Sequence, residues 1–331
     1  MRRRISRVLM AGVVSLATGL GSLVMAQEQD GSAANLVLEP IQLSPNAWYF
    51  LGDSGMASQE NKGYMSNAGF VVTPDGVLVF DALGTPPLGQ AMLDAIAAVT
   101  DLPVKRVIVS HFHADHVYGL QVFKEAGIEI WAHSNGQGYP NSEDAHERLE
   151  QRRADLAPWV DENTYLVDAD HWYQFDGASE IPFTMGGMNF KVVDVSGAHS
   201  DDDIMLWFED EKVLYAGDLY FSGRVPYVAD ADSRSWLTAL DRIFEVEPEI
   251  VVPGHGPASR DVATDIKLTR DYLLYMRQEM GRAAEDMQDF EQAYQETDWS
   301  QFQDYPAFED ANRINAYGQY LQMERELLEG D

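Results

Sequence analysis

The chain has 331 residues, with 54 acidic against 23 basic side chains, a formal net charge of −31 and no cysteine. So acidic a surface repels nucleic acid and anionic lipid head groups, which argues against a nuclease. Without cysteine there are neither disulfides nor thiolate-built zinc sites, so stability must come from core packing or from metal held by nitrogen and oxygen.

Arg2, Arg3, Arg4 and Arg7 precede an apolar run over 8–25, and Val24-Met25-Ala26 offers small or aliphatic groups at the −3 and −1 cleavage positions. Residues 1–26 therefore read as a removable signal peptide. That predicts a periplasmic or secreted protein with no integral membrane segment after cleavage. Residues 27–40 read as a linker.

From Ile41 onward, short apolar strands alternate with turn signals. GFVVTPDGVLVFDA (69–82) predicts two strands joined by a Pro-Asp-Gly turn. Residues 88–99 carry apolar groups at helical spacing, 104–110 is a β-branched strand, 117–126 a helix and 128–133 another strand. The charged stretch 141–160 reads as a helical insert. A second strand series follows at 183–195, 204–210 and 212–218, then a helix at 233–245 and a strand with its turn at 249–256. Two passes of strands and helices predict an α/β fold, a two-sheet sandwich with helices on both outer faces, over 41–262. The regular βαβ alternation and the GxGxxG of a dinucleotide-binding fold are absent. Beyond it, 263–331 reads as a helical extension whose tail aromatics Trp299, Phe302, Tyr305 and Phe308 pack on the body rather than form a lid.

The chemistry concentrates in SHFHADH (110–116). In extended chain residues two apart point the same way, so His111 and His113 can grip one ion. Asp115 and His116 fall where the chain turns into a helix and point toward a second. Three later strand ends repeat the pattern of an apolar run, a glycine and a ligand-type residue: His199 in SGAHS, Asp218 in YAGD and His255 in PGHG. Together these give three donors for each of two ions and one carboxylate free to bridge them.

HFHADH, GAHS, GD and GHG in that order resemble the metallo-β-lactamase superfamily. The resemblance implies the αββα sandwich of that family, with His111, His113 and His199 on the first metal and Asp115, His116 and His255 on the second. Asp218 would bridge the two, and Asp81, at the end of the opening hairpin, would lie just behind the ligands. Asp218 is similar to the glyoxalase II-like and lactonase-like branches, since lactamases place Cys or Ser there. His113 stands where the oxygen-reducing diiron branch has Glu, and the exported chain also resembles quinoprotein relay system zinc metallohydrolases. Nitrogen and oxygen ligation suits two Zn2+, with iron or manganese tolerated. The implied activity is hydrolysis of a small-molecule ester, thioester, lactone or amide by a hydroxide shared between the ions, with Asp115 orienting it or taking its proton. Tyr220, Arg224 and Tyr227 are candidate substrate contacts. A mononuclear iron persulfide dioxygenase using His111, His199 and Asp218 is similar to the same scaffold, and a non-catalytic metal-binding module is the remaining alternative. Of the other histidines, His133 reads as a neighbour of the ligands or a plain strand end, His146 as solvated, and His171 as a surface loop or substrate-edge residue.

Overall fold

The computed structural model describes residues 36–229 and 231–330. The expected signal peptide and most of the expected linker lie outside the described residues. Among the described residues no helix is long and apolar enough to cross a membrane.

Two β-sheets stack face to face. The first is built in chain order from β1 (Ile41–Ser44), β2 (Ala47–Phe50), β3 (Ala68–Thr73), β4 (Gly76–Phe80), β5 (Val104–Ile108), β6 (Glu129–His133) and β7 (His171–Tyr173). Its first four strands pair antiparallel and the rest parallel. The second runs β8 (Glu180–Met185), β9 (Met188–Asp194), β10 (Ile204–Phe208), β11 (Val213–Phe221) and β12 (Ile250–His255), with only the β11–β12 pair parallel. Outside the first sheet lie α1 (Pro86–Val99), α2 (Ala114–Val117), α3 (Leu120–Glu125) and α4 (Glu143–Leu156). Outside the second lie α5 (Ser233–Ala239), α6 (Arg242–Glu245), α7 (Val262–Asp265), α8 (Lys267–Glu285), α9 (Phe290–Glu296) and α10 (Phe308–Glu329).

The strands read as unbroken apolar runs because both faces are buried. In β4, Val77 and Val79 face the helices while Leu78 and Phe80 face the other sheet. In β10, Ile204, Leu206 and Phe208 point inward while Met205 and Trp207 meet the outer helices. A polar seam crosses the sandwich: the Tyr215 hydroxyl donates to the carbonyls of Trp48 (3.0 Å) and Phe70 (3.2 Å). It fits because residue 69 is glycine; a Cβ there would overlap the Tyr215 ring.

Several expectations shift in detail. The helix expected over 117–126 is split into α2 and α3, because Gly119 runs so close to the Ala82 carbonyl that a Cβ would collide. The stretch 183–195 is a hairpin, with Gly186 and Gly187 both at positive φ between β8 and β9, the geometry of a two-residue glycine turn. The 233–245 helix divides into α5 and α6. Met287 fits the helical spacing of the C-terminal segment, yet it sits in the turn after α8 and is 89% exposed. Phe302 and Phe308 are buried in the second core, as expected of a packed tail, while Tyr305 stays exposed.

Candidate metal centre

The local fold of SHFHADH separates its donors. The chain is still extended at His113, the N-cap of α2, and α2 then lifts Asp115 and His116 onto its first turn. The loop between β9 and β10 brings in His199, and β11 and the end of β12 bring in Asp218 and His255. Donor atoms of His111, His113, His199 and Asp218 lie within 4.8 Å of one another, and those of Asp115, His116 and His255 form a second such group. His199 Nε2 is 3.0 Å from His113 Nδ1. Asp218 reaches across both groups: Oδ1 is 3.1 Å from His116 Nε2, and Oδ2 is 3.4 Å from His199 Nε2 and 3.3 Å from His255 Nε2. Asp115 Oδ2 lies 3.3 Å from His255 Nε2.

A structure-based test of metal fit is whether the inward atoms have other partners. His111 Nε2, His116 Nε2 and Asp218 Oδ1 are buried and lack any well-formed hydrogen bond, a costly arrangement unless something else satisfies them. The opposite ring nitrogens are held. His111 Nδ1 pairs with Ser110 Oγ (2.8 Å), His116 Nδ1 with Asp81 Oδ2 (2.9 Å) and His255 Nδ1 with the Met65 carbonyl (2.8 Å). Asp81, at φ 63°, also accepts from the Ser110 amide at 2.7 Å. Such outer contacts fix the tautomer and aim of metal-binding histidines. The residues present therefore fit a metal.

Electrostatics divide the cluster. Burial, reinforced by neighbouring imidazoles, holds His111 well below its ordinary value. Burial brings His199 down to about 3, against the pull of Asp218. Both are neutral, as ligation requires. For His116 burial opposes charge, but Asp218, Asp115 and Asp81 outweigh it and hold the ring well above its usual value. His255 is raised for the same reason, mainly by Asp218. Asp218 is buried yet held well below the usual carboxylate range by His255 and His116. Without a metal, the second group is a set of ion pairs.

The remaining sequence candidates separate clearly. Tyr220 and Arg224 are fully buried and Tyr227 half-buried. Arg224 donates to the Gly55 carbonyl (3.0 Å), with the same nitrogen 3.4 Å from His255 Nδ1. It sits behind a ligand, on the side away from Nε2. His133 is buried against Phe175, accepts from the Asn135 amide and lies 3.6 Å from Asp194. His146 is exposed on α4. His171 lies in the edge strand β7, stacked on Trp131. Sequence reasoning missed Phe221, which stacks on His255 (4.9 Å between centroids), and Trp236, edge-on to His199 at 5.0 Å. Phe221 is three residues past Asp218 and could have been suspected; a backbone acceptor such as Met65 carries no side-chain signal.

Fold and site define a protein with paired His/Asp metal-ligand groups at the strand ends of an αββα sandwich. The profile of the metallo-beta-lactamase superfamily matches residues 61–255, more than half of the chain, and the chain belongs to that superfamily. It is similar to a metallo-beta-lactamase type 2 of Bacillus cereus, 26% identical over 65% of this chain and 75% of that protein. It is also similar to a linear primary-alkylsulfatase of Pseudomonas sp., 21% identical over 64% of this chain and 46% of that protein. Among solved structures, a sec-alkylsulfatase from Pseudomonas sp. superposes with a TM-score of 0.62 over 86% of this chain and 50% of that one, at 15% identity. A metallo-beta-lactamase from Pontibacter korlensis gives 0.54 over 72% and 99%, at 20% identity. The chain thus spans about half the length of both alkylsulfatases.

Proposed function

We propose that this protein is an exported, dinuclear zinc hydrolase of a small-molecule ester, thioester, lactone or amide. The observation that carries the reading is Asp218, whose two oxygens lie within reach of donors from both groups. His111, His113 and His199 would hold one ion, Asp115, His116 and His255 the other, and Asp218 would join them. Zinc there supplies Lewis acidity and a hydrolytic nucleophile at neutral pH. The chain's own contribution is orientation. Ser110, Asp81 and Met65 fix three imidazoles from behind, so the donors are placed before any ion arrives. Asp115, partly open where its neighbours are closed, is the carboxylate positioned to orient the nucleophile and accept its proton. No cysteine or serine nucleophile is required.

The likeness to alkylsulfatases, of which a solved one superposes over more of the chain than the Pontibacter lactamase does, adds sulfate esters to the substrate classes worth testing. Elemental analysis of protein purified after export, paired with turnover of carboxylic esters, thioesters, lactones, amides, β-lactams and alkyl sulfates, tests the proposal. Expected are two zinc ions per chain and metal-dependent hydrolysis of one class. One iron per chain with oxygen uptake on a persulfide would overturn it, and a zinc-loaded protein inert to the whole panel would favour a binding module.

A further inference from the structure

The C-terminal helices α8 and α10 grip the end of β11 and the chain that follows it. α10 carries four amides on one face, Asn312, Asn315, Gln319 and Gln322, all buried. Three of them bond the chain between β11 and α5. Asn315 Oδ1 accepts from the amides of Val228 (2.7 Å) and Ala229 (3.0 Å), and its Nδ2 donates to the Pro226 carbonyl (2.8 Å). Gln319 Nε2 donates to the Ala231 carbonyl (3.4 Å). Gln322 Oε1 accepts from the amide (3.2 Å) and hydroxyl (2.9 Å) of Ser233, and its Nε2 donates to Asp232, the N-cap of α5. Gly318 lets the backbones touch: a Cβ there would run into the Ala229 carbonyl. α8 adds two grips. Thr269 Oγ1 bonds both the amide (3.2 Å) and the carbonyl (3.0 Å) of Phe221, and Arg277 donates to the Ser233 hydroxyl at 2.9 Å.

The gripped segment in turn touches two ligand imidazoles. Phe221 stacks on His255 with ring planes 7° apart, and Arg224 lies against the Nδ1 edge of the same ring. Trp236, carried by α5 and fully buried, meets His199 edge-on while its Nε1 donates to the Leu219 carbonyl (2.8 Å). His199 belongs to one donor group and His255 to the other. His199 Nδ1 has no hydrogen-bond partner, so on that side of the ring packing against Trp236 and Phe221 does the aiming.

We propose that Asn315 and Gln322 are positioning residues: through the stretch from Phe221 to Trp236 they set where His199 and His255 stand, and so set the affinity and geometry of the metal site. This rests on the metal-ligand reading above. Coupling of this kind is reciprocal, so metal binding also tightens the grip of α10 on the segment.

The test compares wild type, Asn315→Leu, Gln322→Leu and Gly318→Ala with a control on the same helix, Tyr320→Phe. The Tyr320 hydroxyl of α10 donates to the Gln288 carbonyl in the turn after α8 (2.8 Å), whereas Asn312 shares the Tyr272 hydroxyl with Asn315 and is no independent control. Zinc affinity is read by chelator competition, site geometry by the visible bands of the cobalt-loaded protein, and coupling by amide exchange at Val228, Ala229 and Ser233 with and without zinc. Loss of partners that orient metal ligands costs about 10- to 100-fold in affinity. Each of the three segment variants is therefore expected to weaken zinc binding about tenfold with altered cobalt bands, while Tyr320→Phe leaves both unchanged whatever melting temperature it loses. Zinc should slow exchange at the three amides in wild type and not in Asn315→Leu. If Asn315→Leu does not fold, Gln322→Leu and Gly318→Ala decide. Wild-type affinity and bands in the segment variants, or the same loss in the control, overturn the positioning role and leave the metal site standing. A wild type that binds neither zinc nor cobalt overturns the site reading and this inference with it.

Discussion

Asp81 shows how much one side chain behind the ligands controls. It joins the amide that follows β5 to the outer nitrogen of His116, so it fixes the strand end and the ligand together. Asp81→Ala removes both bonds and leaves the buried imidazole free to turn. Zinc affinity is expected to fall about 10- to 100-fold, measured by chelator competition. Asp202 offers a different residue-scale test. It is buried beside the loop that carries His199, accepts from Ser200 Oγ (3.0 Å) and the Phe112 amide (3.1 Å), and faces His133 and Asp203. Burial pushes its carboxyl up to about 6, against the pull of those hydrogen bonds. The folded state therefore holds this proton more tightly than the unfolded state. The stability it contributes is complete below the unfolded value and is lost as pH rises through about 6. Asp202→Asn, neutral throughout, removes that decline. Urea unfolding of both proteins at pH 4.5 and 7.5 should show the variant gaining on wild type with pH by about 2 kcal/mol, since part of the decline lies below pH 4.5. A parallel pH dependence in the two proteins would refute it.

At the scale of elements, the seam between the sheets depends on a fit of two residues. Gly69 on β3 leaves the space that the Tyr215 ring of β11 fills, and the hydroxyl then satisfies two carbonyls of the opposite sheet. Gly69→Ala overfills the space and is expected to destabilise by about 1–3 kcal/mol. Tyr215→Phe leaves the packing and removes only the bonds, for about 1–3 kcal/mol. Urea midpoints measure both, and the double variant should fall short of the sum because the two changes share one contact. The strands and the seven donors were legible because each donor follows an apolar run and a turn, a pattern that hydropathy and glycine placement both report. α10 was not legible in the same way. Its buried face is made of Asn312, Asn315, Gln319 and Gln322, and amides leave no apolar period to read. The split at Gly119 and the turn at Gly186-Gly187 were missed for a related reason: each depends on how closely another segment approaches, or on a backbone twist that residue type alone permits but does not demand. Their place just after Asp218 makes Tyr220 and Arg224 candidate substrate contacts, but both side chains are fully buried, Arg224 against the outer nitrogen of His255 and Tyr220 in the core under the outer helices.

At the scale of the whole molecule, the metals would do a job that disulfides do elsewhere. His111, His113, Asp115 and His116 hang from the first sheet, and His199, Asp218 and His255 from the second. Ions shared among them would tie the two sheets at one end, opposite charges in a chain of net charge −31 with no cysteine. Ligand that binds only the folded state stabilises it by mass action, about 4 kcal/mol at a thousandfold excess over the dissociation constant. In a domain of this size that corresponds to roughly 10 °C of melting temperature. Removing metal with a chelator at neutral pH is therefore expected to lower the melting temperature by about that amount. Far-ultraviolet circular dichroism should stay largely unchanged, because both sheets and their three apolar cores stand on packing. Reducing agent without chelating groups should have no effect. Readdition of zinc should restore the original transition, and calcium, which prefers more oxygen donors than these imidazoles leave, should not. A melting temperature indifferent to chelation in protein that had carried zinc would mean that the ions bind without joining the sheets.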